Sequence, residues 1–108
     1  MPQIYTADQE ELLQEINRHV EAKPPAMYVV LLLNDDYTPI DFVEDVLQRF
    51  FKKDADEASK ITMQVHQQGQ GLCGMFPKDI AESKALQVES FSRQHNHPLQ
   101  CLAERSES

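Results

Sequence analysis

The longest unbroken apolar stretch is MYVVLLL, Met27–Leu33, seven residues with no polar interruption. A run of this length bounded by turn residues predicts a buried strand, either central or with one face covered by helices. The rhythm then changes to helical spacing. Val43, Val46, Leu47 and Phe50 form an apolar stripe, opened by Thr38 as N-cap, Pro39 at the first helical position and Asp41 at N3. The run KKD breaks it. Asp54 caps a second helix, Glu57 completes a capping box, and Gly69 ends it. Its inward face holds Ala58, Ile61 and Val65, with Thr62 and His66 along one border. GLCGMFP, Gly71–Pro77, predicts a short strand weakened by glycine. A third helix spans about Lys78–Gln94, with Ile80, Ala81, Ala85, Val88 and Phe91 inward. HNHP is a turn, Pro98–Ala103 a last strand, and ERSES a frayed tail. The order β-α-α-β-α-β predicts an α+β fold: a small three-stranded antiparallel sheet covered by three helices.

Residues 1–25 stand apart as an N-terminal arm and hinge, leaving 26–108 as one core domain. Within the arm, Leu12, Leu13, Ile16 and Val20 recur at helical spacing, Thr6 can cap, and Gln9 lies at the capping-box position. Lys23-Pro24-Pro25 then stops any helix and stiffens the link.

Charge narrows the function. Asp and Glu outnumber Lys and Arg by 18 to 10, giving a net charge of −8, and basic residues nowhere cluster beyond two. A nucleic-acid role is excluded on this balance, because phosphate binding needs a basic face. A cationic ligand or a basic patch on a partner fits instead. No apolar run reaches the roughly 18–20 residues of a membrane span, and the acidic start lacks the form of a signal peptide. Cys73 and Cys101 form no CxxC pair and read as packed free thiols. A monomeric cytoplasmic protein without cofactor is the expectation.

The chemistry concentrates after the first strand, where Asn34, Asp35 and Asp36 precede a helix start. Adjacent carboxylates repel. Two readings fit: a solvated turn, where Asp is common, or the acidic rim of a hollow faced by His66. The second reading asks for a cation. A divalent metal would make the chain a small metal-dependent enzyme or metal sensor built on Asp35, Asp36 and His66, although the spacing matches no known metal loop. An ammonium group would find an amide oxygen, carboxylates and a neutral imidazole nitrogen as acceptors. Relief of repulsion predicts that Asp35→Asn leaves stability the same or higher. Elsewhere, His95, His97 and Cys101 could bind zinc, but HNHP reads as a turn, and Lys84 reads as a snorkelling side chain. No nucleophile–base pair can be placed, so an enzyme is not expected.

PPAMYVVLLLNDDYTPIDFV resembles the ClpS adaptor family, and the likeness continues through DVLQRFF, VHQQG, CGMF and NHPLQC, covering about Pro24–Leu102. NDDYTP followed by VHxxG is the specific combination. Such adaptors bind proteins whose first residue is bulky and hydrophobic (Leu, Phe, Tyr or Trp) and hand them to the AAA+ unfoldase ClpA for degradation by ClpP. The resemblance implies that Asn34, Asp35 and His66 hold a free α-amino group, with Asp36 supporting. It implies a side-chain pocket of Thr38, Pro39, Ile40, Val43, Thr62, Val65 and Leu99, and an unfoldase-docking face with Asp79 and Lys84. Two positions depart from relatives: Thr62 stands where Met is usual, and Asp79 where Glu is usual.

Overall fold

The computed structural model describes residues 7–22 and 25–106, with the side chains of 16–22 outside the description. Thr6, Lys23 and Pro24 therefore lie outside the described residues, and with them the expected arm cap and most of the hinge. The elements run α1 (Ala7–Ala22), β1 (Met27–Leu33), α2 (Ile40–Phe51), α3 (Ala55–Gln68), β2 (Gln70–Pro77), α4 (Lys78–Gln94) and β3 (Gln100–Arg105). From β1 onward this is the expected β-α-α-β-α-β order. The sheet is antiparallel in the order β2-β1-β3, so the apolar run occupies the centre.

Alternation along β1 divides its side chains between two faces. Val30 and Leu32 are fully buried under α2, α3 and α4, joined by Val46, Leu47, Val88, Cys73 and Cys101. The register with β2 shifts between Val30 and Leu31, where Val30 opposes Gly74 and Leu31 opposes Leu72. Cys73 is the extra residue of this bulge, turned into the core. Both cysteines are free and buried, and burial pushes both thiols up.

Local chemistry sets the element ends. Asp54 accepts the Glu57 N–H at 2.8 Å, and Gly69 closes α3 in the left-handed region at φ 87°. The start of α2 differs from the expected cap. Pro39 in extended backbone is the N-cap and Ile40 the first helical residue, because the Thr38 hydroxyl is drawn back to Asp35. β3 starts two residues later than expected and takes in Glu104 and Arg105, since β1 offers pairing partners as far as Tyr28, opposite Arg105. Ser106 then donates its N–H to the Met27 carbonyl at 2.8 Å. On α4 the inward set is Ala81, Ala85, Val88 and Ser92, with Phe91 partly buried against the core, whereas Ile80 is exposed. Lys84 is the long-range tie: its ammonium donates to the Phe50 carbonyl at 2.9 Å near the end of α2 and lies over the rings of Phe51 and Phe76. A cation there also offsets the negative end of the helix dipole.

α3 approaches β2 closely at Gly71. A Cβ on Gly71 would stand 2.6 Å from a Val65 methyl and 3.1 Å from the Ile61 carbonyl. Gly71→Ala is therefore expected to cost about 1–3 kcal/mol through overpacking. Urea denaturation should show a lower midpoint with an unchanged slope; an unchanged midpoint would mean that α3 shifts freely.

Candidate functional site

β1 ends where two other elements converge. The Asn34 N–H donates to the carbonyl of Gly69 at 2.9 Å, joining the strand end to the C-cap of α3, three residues beyond His66. The chain then turns around one carboxylate. Asp35 Oδ1 accepts the N–H groups of Tyr37 at 2.8 Å and Thr38 at 2.7 Å, and Oδ2 accepts the Thr38 hydroxyl at 2.7 Å. This side-chain turn sends the chain into Pro39 and α2. On the far side, Arg93 donates to the carbonyls of His97 at 2.9 Å and Leu99 at 3.3 Å, which fixes the turn after α4 and buries Leu99. Asn96 takes the left-handed conformation there, and the ring of His97 packs 4.3 Å from that of Phe42.

A cavity of about 190 Å³ lies among these ends. Its walls are apolar: Leu33, Ile40, Val43, Val65 and Leu99, with Thr38 and Thr62. Asn34, Asp35, Asp36 and His66 line the same cavity. Cavities of about 150 Å³ accept benzene, so the space suits one aromatic or branched side chain. Thr62 is buried rather than on the helix border, and its hydroxyl donates to the Ala58 carbonyl at 2.7 Å. That back-bond satisfies the polar atom. Ile40 is exposed although it lines the cavity, which places it at the mouth.

The site brings together every residue expected of the rim and pocket except Pro39, which caps α2 without lining the cavity. Three contributors were missed. Leu33 ends a strand pattern and carried no signal of a wall position. Arg93 and His97 act through backbone carbonyls and charge, which spacing does not display. Among the described residues, no three His, Cys, Asp or Glu side chains converge to hold a metal ion. The metal reading of Asp35, Asp36 and His66 thus lacks a ligand geometry, as does that of His95, His97 and Cys101. His95 instead shares a hydrogen bond with the Phe91 carbonyl, and Cys101 is core. Asp79 is exposed in the first turn of α4.

Electrostatics favours the charged form of Asp35. Partial burial pushes the Asp35 carboxyl up. The Thr38 hydroxyl, the Tyr37 and Thr38 amides and the nearby His97 together outweigh it, and its pKa falls below the ordinary 3.8. The ionised form is the one the fold holds.

Residues 23–102 match the family described as "ATP-dependent Clp protease adaptor protein ClpS". The chain is 52% identical over 101 residues to the ATP-dependent Clp protease adapter protein ClpS of Aromatoleum aromaticum, covering 94% of this chain and 98% of that one. It is 54% identical over 90 residues to the protein of the same name from Rhodospirillum centenum, covering 80% and 83%. Among solved structures, Agrobacterium tumefaciens ClpS2 bound to L-phenylalaninamide is similar with a TM-score of 0.74 and 35% identity, over 76% of this chain and 99% of that one. The fold is that of a small adaptor domain of a protease system. The chain belongs to the ClpS adaptor family, the adaptors of the ATP-dependent Clp protease. No helix among the described residues is long and apolar enough to cross a membrane.

The hydrogen bonds overturn the expectation for Asp35→Asn. An amide can keep the two backbone bonds through Oδ1 and donate Nδ2–H to the Thr38 hydroxyl, but neutral bonds then replace charge-assisted ones, so about 1 kcal/mol should be lost. Because the folded-state pKa lies below the unfolded value, the carboxylate's contribution is complete above about pH 3.8 and lost as pH falls through the folded pKa. Thermal denaturation should show Asp35→Asn less stable than the parent at pH 7, with the gap closing in acid. Equal or higher stability at pH 7 would reinstate simple repulsion.

Proposed function

We propose that this chain is an adaptor for proteins whose first residue is bulky and hydrophobic and whose α-amino group is free, delivering them to a ClpA-type AAA+ unfoldase for degradation by ClpP. The observation that carries the reading is the apolar cavity lined at its edge by Asn34, Asp35, Asp36 and His66. The ligand in the similar Agrobacterium structure, L-phenylalaninamide, supports it, since that molecule joins an aromatic side chain to a free α-amine.

In this reading the first side chain enters between Val43, Val65 and Leu99. The ammonium donates to Asn34 Oδ1, Asp35 Oδ2 and a neutral His66 nitrogen, with Asp36 adding longer-range attraction. Asp35 Oδ2 can accept a second donor while keeping the Thr38 hydroxyl, because a carboxylate oxygen has two lone-pair sites. Magnitudes explain why both halves are needed. Burying a Leu or Phe side chain yields about 1.5–3 kcal/mol, and each charge-assisted hydrogen bond about 1.5–3. Association itself costs about 4–15 kcal/mol. Neither half suffices alone.

The unfoldase-docking face centres on α4. Asp79 is exposed toward a basic partner, whereas Lys84 is committed to Phe50 and two rings. Lys84 then acts by holding α4 against the end of α2, and Asp79 supplies the contact.

A labelled peptide beginning with Leu should bind this protein, and its N-acetylated twin should bind at least about tenfold more weakly, because acetylation removes the charge and two donors. Equal binding of the two would sink the reading.

Thr62 sets the breadth of the pocket. Its hydroxyl is engaged inside α3, so only a methyl group projects where relatives carry a longer side chain. Ile and Val as first residues should be penalised less than in Met-bearing relatives. Thr62→Met should weaken an Ile-starting peptide by about tenfold and leave a Leu-starting one within a few-fold. Equal loss for both peptides would show that Thr62 does not gate the pocket.

A further inference from the structure

Among the described residues, the sheet is clothed on one side. Val30, Leu32, Cys73 and Cys101 are buried beneath α2, α3 and α4, so alternation turns Met27, Val29 and Leu31 to the other face. There Leu31 lies between Leu72 and Leu102, and Val29 opposes Met75. Leu72, Met75 and Leu102 remain 44%, 47% and 39% exposed, an apolar strip along the central strand. α1 has a complementary sequence pattern. Its sequence repeats apolar residues at 12, 13, 16 and 20, and Leu12 and Leu13 are exposed. A helix of 16 residues with polar average composition is marginal by itself in water, and an amphipathic stripe is what tertiary packing would use.

We propose that α1 docks reversibly along the bare face of the sheet, apolar stripe inward, as a strap over β1. Connection and length argue for this occupant. Only the four residues 23–26 separate Ala22 from Met27, within the usual range for a helix packed on the strand that follows it. Four residues reach at most about 14 Å, enough to cross the roughly 10 Å between packed layers. Met27 begins the central strand, so α1 is tethered at one end of the strip. The 16-residue helix is about 24 Å long, and the seven-residue strand about 23 Å. The acidic residues Asp8, Glu11 and Glu15 fall outside the apolar stripe and would stay in solvent. Leu12 and Leu13 are exposed, so their side chains are open to this packing.

The test uses the full chain. Cys73 and Cys101 are buried, so a cysteine placed on the arm's polar side by Glu15→Cys takes a nitroxide label selectively. Methyl NMR should show intramolecular broadening of Leu72, Leu102 and Met75, while the cavity methyls of Val43 and Leu99 stay sharp. The substitutions L12D and L13D together should abolish the broadening and speed amide exchange in α1 by at least about tenfold. Leu72→Lys, on an exposed edge position that the fold tolerates, should weaken it from the other side. Absence of broadening on the bare face, or broadening of all methyls alike, would overturn the proposal. So would broadening seen only between differently labelled copies, which would put a second chain on the face.

Discussion

One carboxylate fixes the geometry on which this protein depends. Asp35 accepts two backbone N–H groups and the Thr38 hydroxyl, all at 2.7–2.8 Å, in the turn from β1 to α2. Without that turn, the end of the central strand would not face the start of α2 across a cavity. The same side chain faces the cavity with its charge. The fold therefore holds an anion where the proposed ligand needs one. The structural and the proposed functional readings of the acidic pair are compatible, because one residue can serve both.

The remaining ties act on the elements around that turn. The Asn34 N–H bond to Gly69 brings the end of α3, and so His66, to the rim. Gly71 lets α3 close on β2, which sets the position of Val65. Arg93 holds the carbonyls that place Leu99, and Lys84 fastens α4 to the end of α2. The hydrogen-bonded ties are polar, and the Gly71 approach is steric. The apolar core supplies cohesion, but these contacts decide where its edge opens.

The sequence disclosed most where one physical preference dominated. MYVVLLL could be little but a buried strand, and Asp54 and Gly69 sat where a helix start and stop require them. The rim and pocket residues gathered as expected, apart from Pro39. Legibility failed where two partners competed for one group. Thr38 looked like an N-cap, but Asp35 takes its hydroxyl and α2 starts one residue later. Thr62 looked like a border residue, yet a back-bond to Ala58 lets it sit buried. The end of β3 was hidden for another reason: Glu104 and Arg105 join the sheet only because β1 extends beside them. Repulsion between Asp35 and Asp36 was overweighted because the three donors around Asp35 come from backbone and hydroxyl groups that spacing does not reveal.

The central claim is that Asp35 is held ionised by the turn and, in that state, receives the ligand's ammonium. Carboxyl carbon NMR of the aspartates, followed through pH and then through a titration with leucinamide at neutral pH, tests both parts at once. The account predicts that Asp35 titrates below the ordinary 3.8 in the free protein. It also predicts that leucinamide shifts the Asp35 and Asp36 signals while those of Asp45 and Asp54 stay in place. An Asp35 carboxyl that titrates at or above 3.8, or that does not respond to leucinamide, would contradict it.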